Sequence, residues 1–402
     1  DQLPTEPTID AIPAVVVRSN MAARGTALSE LASLFLKLGT TAFGGPAAHI
    51  AMMEDEVVRR RGWLNHEQFL DYLGATNLIP GPNSTELAIH IGQARAGWRG
   101  LMIAGVSFIL PAALIVTAVA WVYIRFGRLP AAAGLLWGVK PVVIAIVCQA
   151  LWRLAQTAVK TVGLGLLGAA AIAAVAAGVH ELIVLAGAAV AMAAVPLVRG
   201  RTLPGLGLAV VLSRPGTVTA TAALGAIAAV PVSLSGLFLV FVKAGAVLFG
   251  SGYVLLAFLR ADLVERLGWL TEAQLLDAIA VGQVTPGPVF TTATFVGYVL
   301  AGVPGAAVAT VGIFLPAFIF VAIRGPLVPL IRRSPIAGSM LDGVNVASLA
   351  LMTVVLWQLA RATFVDRGAV AIGIVSIMTL AFWRINSAWL IIAGAALGWW
   401  AG

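Results

Sequence analysis

Two Pro-Gly-Pro triplets, Pro80-Gly81-Pro82 and Pro286-Gly287-Pro288, interrupt stretches that are otherwise nearly free of charge. Two prolines around a glycine cannot continue a helix. Two backbone donors are missing, and the residue before each proline is pushed out of the helical region. The helix that restarts after such a break points unpaired N–H groups and its positive dipole end into the gap, which is the chemistry of an anion site. Asn83, Ser84 and Thr85 follow the first triplet; Thr285 precedes the second, and Thr291 and Thr292 follow it. These side chains can bind oxyanion oxygens or simply cap the helix. Gln283, and Asn77 at the matching earlier position, are comparable candidates. Gly44, Gly45, Gly250 and Gly252, with Ser251 between the last two, permit close backbone approach at two further breaks.

Few charged side chains lie inside the apolar runs. Lys37 and Lys243 are the main cations there, each two residues before a glycine, with Lys140 a secondary one. An intramembrane lysine costs about 2.5–3.5 kcal/mol on the insertion scale, so it faces the protein interior unless it snorkels to the interface. Both readings stand for Lys37 and Lys243. Glu86 lies four residues after Pro82. A buried carboxylate there is a proton-coupling candidate or a structural partner of a lysine. Asp342 is a second proton-coupling candidate and can equally be interfacial. His49 and His90 can titrate or pack. Four histidines and the single Cys148 give no metal-ligand spacing.

The elements that must hold these groups are membrane helices. Of 402 residues, 60% are apolar and only 10% charged, against roughly a quarter charged in soluble domains. Uncharged runs of about 20 residues fit a helical polytopic protein. The net charge of +8 is spread between apolar segments rather than gathered as a nucleic-acid patch, so the lipid bilayer is the expected partner. Residues 1–27 read as a polar tail without a signal-peptide core. No P-loop pattern is present, which excludes a primary pump of that kind. No cofactor or metal is expected, and nothing resembles an enzyme's catalytic constellation.

The triplets belong to a duplication. At an offset of 206 residues, 16 of the 46 positions from 37 to 82 are identical, including Lys37/Lys243, Gly62-Trp63-Leu64/Gly268-Trp269-Leu270, Arg60/Arg266 and Asp71/Asp277. After a one-residue gap Leu110-Pro111 meets Leu315-Pro316. The halves are read as 28–198 and 234–402, joined by a linker at 199–233. Duplicated halves with matching helix breaks are a signature of secondary transporters. Each half is read as an interrupted first segment, a charged amphipathic stretch, a broken segment that returns to its own side, and four ordinary segments. Arg59, Arg60, Arg61, Arg95, Arg99, Arg153, Lys160, Arg199 and Arg201 then share one face, opposite Arg18, Arg24, Arg125 and Arg128. The first face is expected to be cytoplasmic. In the second half the bias reverses, and an odd number of crossings per half makes the repeats inverted. A crossing by 215–231, with parallel halves, is the alternative.

These residues resemble one family. Phe43-Gly44-Gly45-Pro46 with His49, the Gly62-Trp63-Leu64 loop and Pro80-Gly81-Pro82 are similar to the first half of the CHR chromate ion transporters. Lys243 to Tyr253, Arg260-Ala261-Asp262 and Thr285 to Thr292 are similar to the second. The resemblance runs from about residue 28 to the C-terminus. It implies a two-domain transporter that exports chromate from a bacterial-type inner membrane, confers chromate resistance and couples to the membrane potential or a proton gradient. A homodimer is the candidate assembly. Sulfate or another tetrahedral oxyanion, or a passive anion channel, are the alternatives.

Overall fold

The computed structural model describes residues 28–43, 45–76, 78–126, 130–199, 231–248, 254–383 and 387–401. Gly44, Asn77, Gly250, Ser251, Gly252 and all but the last residue of the stretch 215–231 lie outside these residues.

The chain opens with α1 (Leu28–Thr41), which buries Leu31, Leu34, Phe35 and Leu38 along one helical face. After the first break come α2 (Gly45–Glu54) and a π-helical turn at Asp55–Arg60. α1 and α2 form a hairpin that ends where it began. Arg61 reaches back to Glu30 at 2.9 Å, and Lys37 on the outgoing arm meets Glu56 on the returning one at 2.7 Å. An ion pair cannot bridge a hydrocarbon core ~30 Å thick, so this first interrupted segment is re-entrant. That corrects the expectation that it crosses and that each half has an odd number of crossings.

The Pro-Gly-Pro segment makes a second re-entrant hairpin. α3 (His66–Thr76) enters, and α4 (Asn83–Phe126) begins after the triplet. α4 is itself folded. Ala96 and Gly97 have non-helical angles, with Gly97 at φ +57°, so 83–95 and 98–126 are two arms. They run so close that a Cβ on Gly92 would strike the Gly100 carbonyl, and one on Gly100 the Gly92 carbonyl. Arg95 and Arg61 both lie over the Trp63 ring, 5.4 and 5.2 Å from its centroid. The base of the second hairpin therefore shares a face with the base of the first. The arm 98–126 leaves for the far face and α5 (Pro130–Ala158) returns. α6 (Val162–Ala176) and α7 (Glu181–Arg199) complete the half.

The second half repeats every device. α8 (Leu234–Val247), α9 (Leu255–Leu259) and a π-helical turn at Arg260–Arg266 form its first hairpin. α10 (Glu272–Val284) leads to the second triplet, and α11 (Thr292–Arg333) folds at Ala301-Gly302 as α4 does at Ala96-Gly97. α12 (Pro335–Thr363), α13 (Arg367–Phe382) and α14 (Ser387–Ala401) follow. The capping chemistry repeats as well. Asn65 and Gln68 exchange side-chain-to-backbone bonds at the start of α3, and Thr271 and Gln274 do so at α10.

The halves are inverted, and two lateral contacts show it. The Trp137 indole, near the far-face start of α5, donates to Asp366 at 2.9 Å. Asp366 caps α13 at the position equivalent to Thr161, on the base face of its own half. Reciprocally, Lys160 on the first half's base face meets Asp342 near the start of α12 at 2.8 Å. In a parallel arrangement each pair would be a membrane thickness apart. The tail helices also cross over between halves. Gly138 of α5 packs on Gly394 and Gly398 of α14, and Gly343 of α12 packs on Ala188 of α7, the small-residue packing that membrane helices favour.

Single cysteines introduced in a Cys148→Ala background test the inversion. Arg59→Cys and Val365→Cys, both at exposed positions, should react with an impermeant maleimide from opposite faces of sealed vesicles. Labelling from the same face would refute the inverted arrangement.

Candidate functional site

The four breaks meet one another across the two halves. The Gly81 N–H donates to the Leu248 carbonyl at 2.7 Å, and the Gly287 N–H donates to the Ala42 carbonyl at 2.9 Å. Each Pro-Gly-Pro apex is thus tied to the first-hairpin break of the other half. Both glycines have positive φ, +140° and +89°, which is why glycine stands between the prolines. A Cβ on Gly287 would also meet Ala112 and the Gly39 carbonyl, and one on Gly81 would meet the Glu86 carboxylate and Ala317. Ala112 and Ala317 are repeat mates, so both apices pack on the same position of the opposing long arm.

The side chains at the first break are buried and differ in how they are satisfied. His49 is fixed. One ring nitrogen lies 3.1 Å from the Ala42 carbonyl and the other 3.3 Å from the Ser84 hydroxyl, with Phe108 edge-on to the ring at 5.7 Å. This joins the apex of the first hairpin to the helix start of the second. Thr85 and Glu86 are fully buried, and neither the Thr85 hydroxyl nor either Glu86 oxygen has a hydrogen-bond partner among the described residues. Asn83 opens the same turn. At the second break Thr285, Thr291 and Thr292 direct their hydroxyls to the carbonyls of Val281, Pro288 and Val289 at 2.8–2.9 Å. They can serve an anion by exchanging those bonds. Gln283, buried, stands two residues before Thr285.

The lysines are placed elsewhere. Lys37 pairs with Glu56, and Lys243 pairs with Asp262 at 2.9 Å and with Glu181 at 3.1 Å. Glu56 and Asp262 are repeat mates, both on π-helical turns, and each also pairs with the repeated arginine, Arg60 or Arg266. Lysine, acid and arginine therefore form a latch across each first hairpin. Identity matching could not reveal it, because Glu opposes Asp at that position; counting acids as equivalent would have. Neither lysine pairs with Glu86. Lys140 lies 3.4 Å from Asp277, which accepts from Tyr123 at 2.9 Å, a contact between the halves. Asp342 is held at the membrane edge by Lys160. Gly45 starts α2 with φ +78°; Gly44, Gly250, Ser251 and Gly252 lie outside the described residues. Among the described residues no cluster of three or more His, Cys, Asp or Glu could hold a metal ion.

The latches carry a stability prediction. The Lys37 side chain is 52% exposed, so breaking its pair with Lys37→Met should cost about 1 kcal/mol or less. Lys243 is 26% exposed and its partner Asp262 only 2%. Lys243→Met takes the lysine from two buried carboxylates, leaving Asp262 with Arg266 alone, and should cost more, about 2–3 kcal/mol. Thermal unfolding in detergent would order the two variants, and equal losses would contradict the asymmetry. Glu56 is held below its ordinary value of 4.5 by its hydrogen bond from Lys37, with Arg61 adding to the effect. The stability it contributes is present above 4.5 and is lost as pH falls through the lower folded value. Glu56→Gln should flatten that acid limb.

Comparison with known proteins agrees with the duplicated architecture. The chromate transporter family model matches twice, over residues 29–193 and 235–399. The chain is 33% identical to a chromate transport protein of Cupriavidus metallidurans over 381 residues, 92% of each chain. It is 32% identical to a chromate transport protein of Pseudomonas aeruginosa, covering 92% of this chain and 91% of that one. It is 31% identical to a probable chromate transport protein of Synechococcus elongatus, covering 89% and 91%. No solved structure matches the chain. With two family matches that coincide with two inverted sets of re-entrant hairpins, the chain belongs to the chromate transporter family.

Proposed function

We propose that this protein is a secondary active transporter that exports chromate across a bacterial-type inner membrane and so confers chromate resistance. The observation that carries the reading is the reciprocal tie between the Pro-Gly-Pro apices and the opposing breaks. It sets two helix N-termini at one junction, where a tetrahedral dianion finds backbone donors and the hydroxyls of Ser84, Thr85, Thr285, Thr291 and Thr292. The ends of α4 and α11 supply the field, and no fixed ammonium need bind the anion. The names of the relatives support chromate as the cargo.

Orientation and energetics fit export. The first half's base face carries Arg59, Arg60, Arg61, Arg95, Arg99, Arg153 and Lys160, and α11 ends on that face with Arg332 and Arg333. The opposite face has Arg125, Arg260, Arg266, Arg361 and Arg367. The positive-inside rule makes the first face cytoplasmic. An interior-negative potential then favours outward movement of anions by about 2.3 kcal/mol per charge per 100 mV, twice that for a dianion. The membrane potential is therefore a sufficient driving force.

Transport of labelled chromate into inside-out vesicles or proteoliposomes, with and without an imposed potential or pH gradient, tests this. Accumulation above equilibrium under an imposed gradient is expected. Equilibration without accumulation would indicate a channel, and sulfate transport equal to or faster than chromate transport would overturn the assignment of cargo.

A further inference from the structure

The two breaks are symmetric in backbone but not in charge. Where the second has Thr292, bonded to the Val289 carbonyl at 2.8 Å, the first has Glu86, wholly buried with both oxygens unpartnered among the described residues. Glu86 lies in the first turn of α4, where an acid ordinarily accepts from the free N–H groups of the helix start. It does not do so. Its carboxyl is turned against Gly81, into the space a Cβ would fill, with Ala317 on the far side. The donors of the helix start are thereby left to another acceptor.

Among the described residues, the surrounding groups offer no compensating charge. On α2, His49 is bonded to Ala42 and Ser84. On α4's own arm, His90 stacks on Tyr72 of α3 at 6.0 Å. Lys37 of α1 is turned to Glu56, and Lys243 of α8 to Asp262 and Glu181. The α11 arm beside Glu86 has no charged residue from 303 to 323. An ionised carboxylate without donors or a counter-ion is strongly disfavoured in such surroundings. A dianion at the adjacent helix start would disfavour it further.

Resting on the chromate reading above, we propose that Glu86 carries a proton whenever the oxyanion is bound, so that proton and dianion occupy the first break together and cross together. By linkage, protonation raises oxyanion affinity, and oxyanion binding holds the proton. The transported unit then moves one net negative charge per chromate, which an interior-negative potential drives outward.

Chromate affinity of the purified protein, measured from mildly acid to alkaline pH, tests the proposal. Comparison with Glu86→Gln cancels the chromate ion's own titration. Wild-type affinity should fall about tenfold per pH unit above the Glu86 titration, the slope for one linked proton. Glu86→Gln should lose that dependence. In proteoliposomes the charge moved per chromate should rise from one to two. Parallel pH profiles, or a folded Glu86→Gln that no longer binds chromate, would overturn the proposal. If the Gln variant does not fold, Glu86→Asp serves: a shifted midpoint supports the proposal and an unmoved one overturns it. A wild-type protein that binds no chromate at any pH would instead sink the transport reading, so the two failures are distinguishable.

Discussion

Backbone polar groups at membrane depth must be satisfied inside the protein, and the rest of this structure depends on how that is done. Four helix breaks leave amides and carbonyls without intrahelical partners. Each Pro-Gly-Pro apex donates its glycine N–H to a carbonyl at the opposing first-hairpin break. Neither half can satisfy its own apex amide. Two opposed copies are therefore a structural requirement, which the duplication meets within one chain: one copy alone would leave a buried donor and a buried acceptor, each costing several kcal/mol in hydrocarbon.

That requirement propagates outward. To bring opposing breaks together, the long arms of α4 and α11 must pack closely, which places Gly105 under the Phe318 ring and Ala112 and Ala317 against the apices. The tail helices then exchange partners, α5 onto α14 and α12 onto α7, with glycine at the closest approach in each case. The lateral pairs Trp137–Asp366 and Lys160–Asp342 close the exchange on opposite faces. Inversion has a mechanical consequence. Whatever asymmetry between the repeats opens the junction to one face, exchanging their conformations opens it to the other.

Much of this was legible in the residues. Two prolines around a glycine can only be a break, and a 206-residue offset reveals a repeat without any structure. The fold-back of the first segment was not legible, because its evidence is tertiary: Glu30 and Arg61 lie 31 positions apart and neither is part of a motif. The turns at Ala96-Gly97 and Ala301-Gly302 were legible in outline, because a Pro-Gly-Pro segment that returns to its own side puts Arg95 and Arg99 at its base, and the uncharged run 278–323 is too long for one span and breaks near Gly302-Val303-Pro304-Gly305. A further signal was the neighbouring pair: Gly92 with Gly100, and Gly297 with Gly305, eight apart around the bend. The lysine latches were half visible. The repeated lysines stood out, but their acids did not.

The latches also bear on how a carrier lets go. A dianion gripped by two desolvated ammonium groups would be bound too tightly to release. Pairing Lys37 and Lys243 with the acids of the π-helical turns spends those charges on closing the hairpins. On the proposed reading, helix-end dipoles and hydroxyls do the binding. They act on one anion together only while the broken arms converge on the junction, so separating the arms weakens the site. Binding strength is thereby tied to conformation rather than to a fixed charge, as release on the far side requires.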